Sequence, residues 1–130
     1  MKKIQLLFVF IVFCVFSCTR DSFTPVEIDC TEEISYDNMV KAIINSSCSY
    51  SGCHDGAGGI GPGDYTVYNG RLLADLDSGS FERRVINQKD DPFVGMPPNN
   101  EVYASSVKDD LTEDELEIIT CWLQSGYPEN

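Results

Sequence analysis

The side chains able to do chemistry are concentrated in Cys48-Ser49-Tyr50-Ser51-Gly52-Cys53-His54, two thiols and an imidazole close together, and His54 is the only histidine in the chain. Three chemistries use such a set. Two cysteines with a histidine directly after the second form the attachment signal for haem c. There the thiols become thioethers to two vinyl groups of one porphyrin while the imidazole reaches the iron. The usual gap between the cysteines is two residues, whereas Ser49 to Gly52 make it four here. The extra residues can bulge outward and leave both thiols within reach of the same ring. A Cys48–Cys53 disulfide would instead close a small surface loop, with His54 facing solvent. Zinc would take Cys48, Cys53 and His54 and need Cys30 or Cys121 as a fourth ligand, without paired spacing.

With a single histidine, no site built on two imidazoles of one chain can form, which excludes most catalytic zinc centres and bis-histidine haem. A haem would therefore need a different second axial ligand. Val94-Gly95-Met96-Pro97-Pro98 supplies a thioether in a proline-braced loop 42 residues after His54. Such a loop holds its methionine without helix or sheet around it. Met39, by contrast, lies on a helical stripe and reads as core filling. No Ser-His-Asp or Cys-His hydrolase site can be assembled, because the one imidazole adjoins Cys53.

Two elements that must position these groups are written clearly. From Ser35, a plausible N-cap, the apolar residues Tyr36, Met39, Val40, Ile43 and Ile44 recur at helical spacing and stop at Asn45-Ser46-Ser47. Near the other end, Thr112 with Glu115 forms a capping box, and Leu111 with Leu116 a hydrophobic staple. The helix that follows should run to about Ser125, bury Leu116, Ile119, Trp122 and Leu123, and stop at Gly126. A third, shorter helix is expected around Tyr65 to Leu76. Phe81 to Gln88 fits either a short helix or an extended segment. Asp55 to Gly63, with five glycines, reads as loop, and Asp90 to Tyr103, with three prolines, as irregular chain. No strand pattern or internal repeat is present. The expected fold is all-α, about three helices with long loops, and its thin core calls for a staple, a metal or a large cofactor.

Composition narrows the partners. The chain has 130 residues, 9 Lys and Arg against 21 Asp and Glu, a formal charge of −12, and six cysteines. That length suits one domain, and the charge sets nucleic acid aside, since phosphates are bound by Lys and Arg. Met1-Lys2-Lys3 followed by Ile4 to Phe16, apolar except Gln5, reads as a secretory signal too short to span a bilayer. Val15-Phe16-Ser17-Cys18 resembles a bacterial lipoprotein cleavage box, which implies removal of residues 1–17 and lipidation of Cys18. Cleavage takes two lysines and no acid, leaving 113 residues at −14. Residues 18–31 then read as a lipidated N-terminus and tether, and 32–130 as the domain. The expected location is a bacterial membrane anchor, facing the periplasm or the cell surface.

Taken in order, the features of Ser35 to Asn130 resemble a small monohaem c-type cytochrome of an exported bacterial lipoprotein. The resemblance rests on a helix, Cys48…Cys53-His54, a Gly-Pro loop, Met96-Pro97-Pro98, and a closing helix that starts Leu-Thr-x-x-Glu and ends Cys121-Trp122-Leu123-x-x-Gly126. It implies one covalent haem c, thioethers from Cys48 and Cys53, and axial ligation by His54 and Met96. It also implies that Pro62 accepts a hydrogen bond from the other imidazole nitrogen, and that Cys30 pairs with Cys121. Trp122 and Tyr65 are candidates for the pocket wall or for ordinary core. The implied activity is electron transfer, with a redox partner presenting a basic docking surface. The alternatives are a haem-free, disulfide-stapled surface or binding lipoprotein, and a haem sensor or small-ligand enzyme in which Met96 is displaceable.

Overall fold

Ser35 starts the first helix by a reciprocal pair of bonds. Its hydroxyl accepts from the Asn38 amide at 3.4 Å, and its own amide donates to Asn38 Oδ1 at 2.8 Å. The computed structural model describes residues 30–57 and 61–130. The expected signal at 1–17, Cys14, Cys18 and nearly all of the expected tether lie outside the described residues. From Ser35 the chain winds as a π-helical segment, Tyr36–Val40, and continues as an α-helix, Lys41–Ser47; together these form α1. The chain's own C-terminus satisfies two amides at its start, Tyr36 N–H donating to the Pro128 carbonyl at 2.9 Å and Asp37 N–H to Glu129 at 3.0 Å.

The other helices are α2, Gly70–Asp77; α3, Ser80–Glu82 continuing as a π-helical segment, Arg83–Asn87; and α4, Glu113–Gln124. Among the described residues there is no strand, only an isolated antiparallel bridge between Asp55 and Asp64. Among the described residues the architecture is therefore all-α, with four helices rather than about three. The additional helix occupies the stretch at Phe81 to Gln88 that its pattern left open. α2 starts at Gly70, later than the expected Tyr65. Tyr65 is instead tied to two other segments, its amide donating to the His54 carbonyl at 2.9 Å and its carbonyl accepting from Tyr36 Oη at 2.9 Å. Among the described residues no helix is long and apolar enough to cross a membrane.

Trp122 is the centre of the core, fully buried, with Tyr36, Tyr68, Phe81 and Tyr127 ringed around it at centroid distances of 6.1 to 6.4 Å. Such tilted and edge-on pairs add about 0.5–1.5 kcal/mol each to the area they bury. Its indole N–H donates to the Pro128 carbonyl at 2.9 Å, the same oxygen that caps α1. Val40, Ile44, Leu72 and Ile119 complete the contact between α1, α2 and α4. On α4 the expected burial is corrected at Leu116 and Leu123, which are only half-buried, while Cys121 is buried in their place. Cys121 is bonded there to Cys30, in the chain that enters α1.

Candidate functional site

The capping that ends α1 also builds the cysteine loop. Cys48 and Ser49 amides donate to the Ile44 carbonyl at 2.8 and 2.9 Å, which closes the helix. The next residues loop outward: Cys53 N–H donates to Tyr50 O at 3.0 Å, and Gly52 takes φ +89°, a left-handed conformation that favours glycine. His54 N–H then returns to Cys48 O at 3.0 Å. Four residues are thus absorbed in a bulge, with the imidazole brought back beside the first thiol. Tyr50 Oη, 3.0 Å from Ser106 Oγ, ties the bulge to the loop before α4.

A second loop leaves His54 and comes back to it. The Asp55–Asp64 bridge closes its base, and within it the Pro62 carbonyl lies 3.2 Å from His54 Nδ1. A carbonyl can only accept, so Nδ1 carries the proton and Nε2 keeps its lone pair, the tautomer a metal requires. His54 is buried rather than facing solvent. Burial holds it below the ordinary imidazole value, against the Pro62 bond and the charge of Asp75, with Arg71 and Arg84 acting in the same direction as burial. Tyr65 lies flat on the imidazole, ring centroids 4.0 Å apart and 10° from parallel. Gly61 passes its edge so closely that a Cβ there would sit 3.0 Å from Nε2 and Cδ2.

Met96 is positioned from α3. Its amide donates to Arg84 O at 3.1 Å, and Gly95 N–H donates to Asp91 O at 2.8 Å. Arg84 Nη1 reaches the Val94 carbonyl at 3.4 Å. Gly95 has no side chain for a steric reason: a Cβ would lie 2.5 to 2.7 Å from the carbonyl oxygens of Gln88, Lys89 and Asp91.

Cys48, Cys53, His54, Pro62 and Met96 all line one cleft of about 320 Å³, at the small end of ligand-site volumes. Its walls include Tyr65, Phe81, Val85 and Tyr103, and Phe93, 69% exposed, stands at its rim. Of the two aromatic wall candidates, Tyr65 lines the cleft, whereas Trp122 is core. Both thiols are free, and burial together with the neighbouring Cys53 pushes the Cys48 thiol up to about 12. The structure thus brings the two thiols and the imidazole together without a Cys48–Cys53 bond. It also ties Cys30 to Cys121, so neither can complete a zinc site. Among the described residues no group of three or more His, Cys, Asp or Glu converges as a metal site.

Three charged residues of the cleft were not singled out in the sequence: Arg71, Asp75 and Arg84. Asp75 has a readable signal, because it falls between Leu72 and Leu76 on the buried stripe of α2. The place of Arg84 had none, since it depends on α3 folding as a helix. The chain matches no protein-family model, no curated protein and no solved structure.

Proposed function

We propose that this protein is an electron carrier resembling monohaem c-type cytochromes, with one covalent haem c held through Cys48 and Cys53 and with His54 and Met96 as axial ligands. The single observation that carries this reading is the state of His54. Its imidazole is buried, its Nδ1 is committed to the Pro62 carbonyl, and its Nε2 is left for a metal on a cleft shared with two free thiols and a thioether. Bound there, haem supplies a one-electron iron couple. His54 and Met96 would occupy both axial positions, which leaves no open site for substrate and favours electron transfer over catalysis. Pro62 and Tyr65 fix the imidazole plane. Tyr65, Phe81 and Val85 present apolar surface that excludes water, and Arg84 gives the cleft a positive charge suited to a carboxylate, while Arg71 is paired with Asp75. The same reading makes the chain an exported lipoprotein anchored through Cys18. Its acidic surface suits a redox partner with a basic docking face.

Expressing the full chain with a haem c maturation system tests this. The expected product has a haem c pyridine haemochrome spectrum and a mass increase of one haem that survives denaturation. A haem-free chain overturns the reading in favour of the disulfide-stapled binding lipoprotein. Ready binding of carbon monoxide or cyanide would move it to a sensor or small-ligand enzyme.

A further inference from the structure

Asp75 is 7% exposed, on an α2 stripe whose other members, Leu72 and Leu76, are core. An aliphatic side chain would suit the position, and a buried carboxylate costs free energy unless its charge is used or fully compensated. Its partners are specific. Tyr65 Oη donates to Asp75 Oδ2 at 2.5 Å, and Arg71 Nε donates to the same oxygen at 2.6 Å. Tyr65 is in turn the ring stacked on His54. One aromatic ring and one hydrogen bond therefore separate the carboxylate from the imidazole. Arg71 is the outer member, its side chain 46% exposed.

The charges along this line are ordered. Tyr65 Oη and Arg71 Nε both donate to Asp75 Oδ2, so the carboxylate is the acceptor at the centre of this line. The hydrogen bonds from Arg71 and Tyr65 outweigh burial and keep Asp75 below the usual carboxylate value.

We infer that Asp75, held by Tyr65 and Arg71 behind the imidazole of His54, is a positioning and charge-tuning residue that lowers the reduction potential of a metal bound at Nε2. This rests on the function proposed above. A fixed negative charge stabilises the oxidised, more positive metal. Roughly 10 Å from a redox centre, at an effective dielectric near 20, one charge shifts a one-electron equilibrium by about tenfold, and a tenfold shift is about 59 mV. Arg71 offsets part of this, so its removal should act in the opposite sense.

The test is a spectroelectrochemical titration of the haem-loaded full chain at pH 7, with Asp75→Asn, Asp75→Glu and Arg71→Gln beside the wild type. Asp75→Asn should raise the midpoint by up to a tenfold shift in the oxidised-to-reduced ratio. Asp75→Glu should stay close to wild type, and Arg71→Gln should fall below it. A merely structural role predicts the wrong sign, because loosening the cleft exposes the iron to water and favours the oxidised state. An Asp75→Asn midpoint at or below wild type overturns the inference while the haem reading stands. If Asp75→Asn does not fold, an unshifted Arg71→Gln overturns it alone. A wild-type chain without thioether-bound haem overturns the reading and the inference together.

Discussion

Gly95→Ala puts a methyl group where three backbone carbonyl oxygens, those of Gln88, Lys89 and Asp91, already lie 2.5 to 2.7 Å from the new atom. None belongs to a side chain that can swing aside, so the backbone itself must move. Overpacking of this kind costs about 1–3 kcal/mol. The retreat that relieves it lengthens the Gly95–Asp91 and Met96–Arg84 hydrogen bonds, now 2.8 and 3.1 Å, at about 1 kcal/mol each. A loss of about 3–5 kcal/mol is a large part of the 5–15 kcal/mol typical of a domain, and with a urea slope of about 2 kcal/mol/M it lowers the midpoint by about 1.5–2.5 M. Gly79→Ala is the matched control. Gly79 has φ +68° and nothing within 4 Å of its would-be Cβ, so only left-handed strain applies, about 1 kcal/mol. Urea unfolding of the two variants by circular dichroism should rank Gly95→Ala clearly below Gly79→Ala. In haem-loaded protein the same change should weaken Met96 ligation and lower the reduction potential. An unchanged urea midpoint for Gly95→Ala would refute the account of how Met96 is positioned.

The Cys30–Cys121 disulfide spans 91 residues; in the chain-entropy account, replacing both cysteines by serine costs about 4–5 kcal/mol. A denaturation midpoint insensitive to that change, or to reductant, would count against it. Glu115 is half-buried, and although burial opposes its charge, bonds from Lys108 and Thr112 hold its carboxyl below the ordinary 4.5. A carboxylate depressed on folding contributes stability that is present above pH 4.5 and lost as pH falls through its folded value. Glu115→Gln should therefore flatten the acid limb of thermal stability measured from pH 6 to pH 3, and an unaltered limb would contradict the assignment. On the proposed function, electron exchange with a basic partner should slow as salt rises, because a chain of formal charge −12 is steered by opposite charge; stopped-flow rates indifferent to ionic strength would remove that expectation.

How much of the site could be read in advance depended on sequence distance. The Ser35 and Thr112 caps each close within three residues, so both were readable as local patterns. The start of α2 was not; Tyr65 is tied instead to His54 and Tyr36, the latter 29 residues away. For Asp75, the helical stripe showed an acid among leucines, but its Tyr65 partner lies outside α2 and emerges only on folding. The same holds for Phe93 at the cleft rim and for the hold of Arg84 on the Met96 loop.

The sequence by itself determined the chemical alphabet of this protein: one imidazole, two thiols beside it, a thioether in a proline-braced loop, an acidic surface and two strongly capped helices. Residue type and short-range spacing suffice for these, because capping and helical periodicity act over three or four residues. The tertiary structure alone decided that the Met96 thioether shares one cleft with the thiols and imidazole, that Tyr65 stacks on the ring, and that a buried carboxylate stands behind it. Those outcomes need segments far apart in the chain to be brought together. What brings them together is burial around Trp122 and the Cys30–Cys121 link, neither of which is a local property.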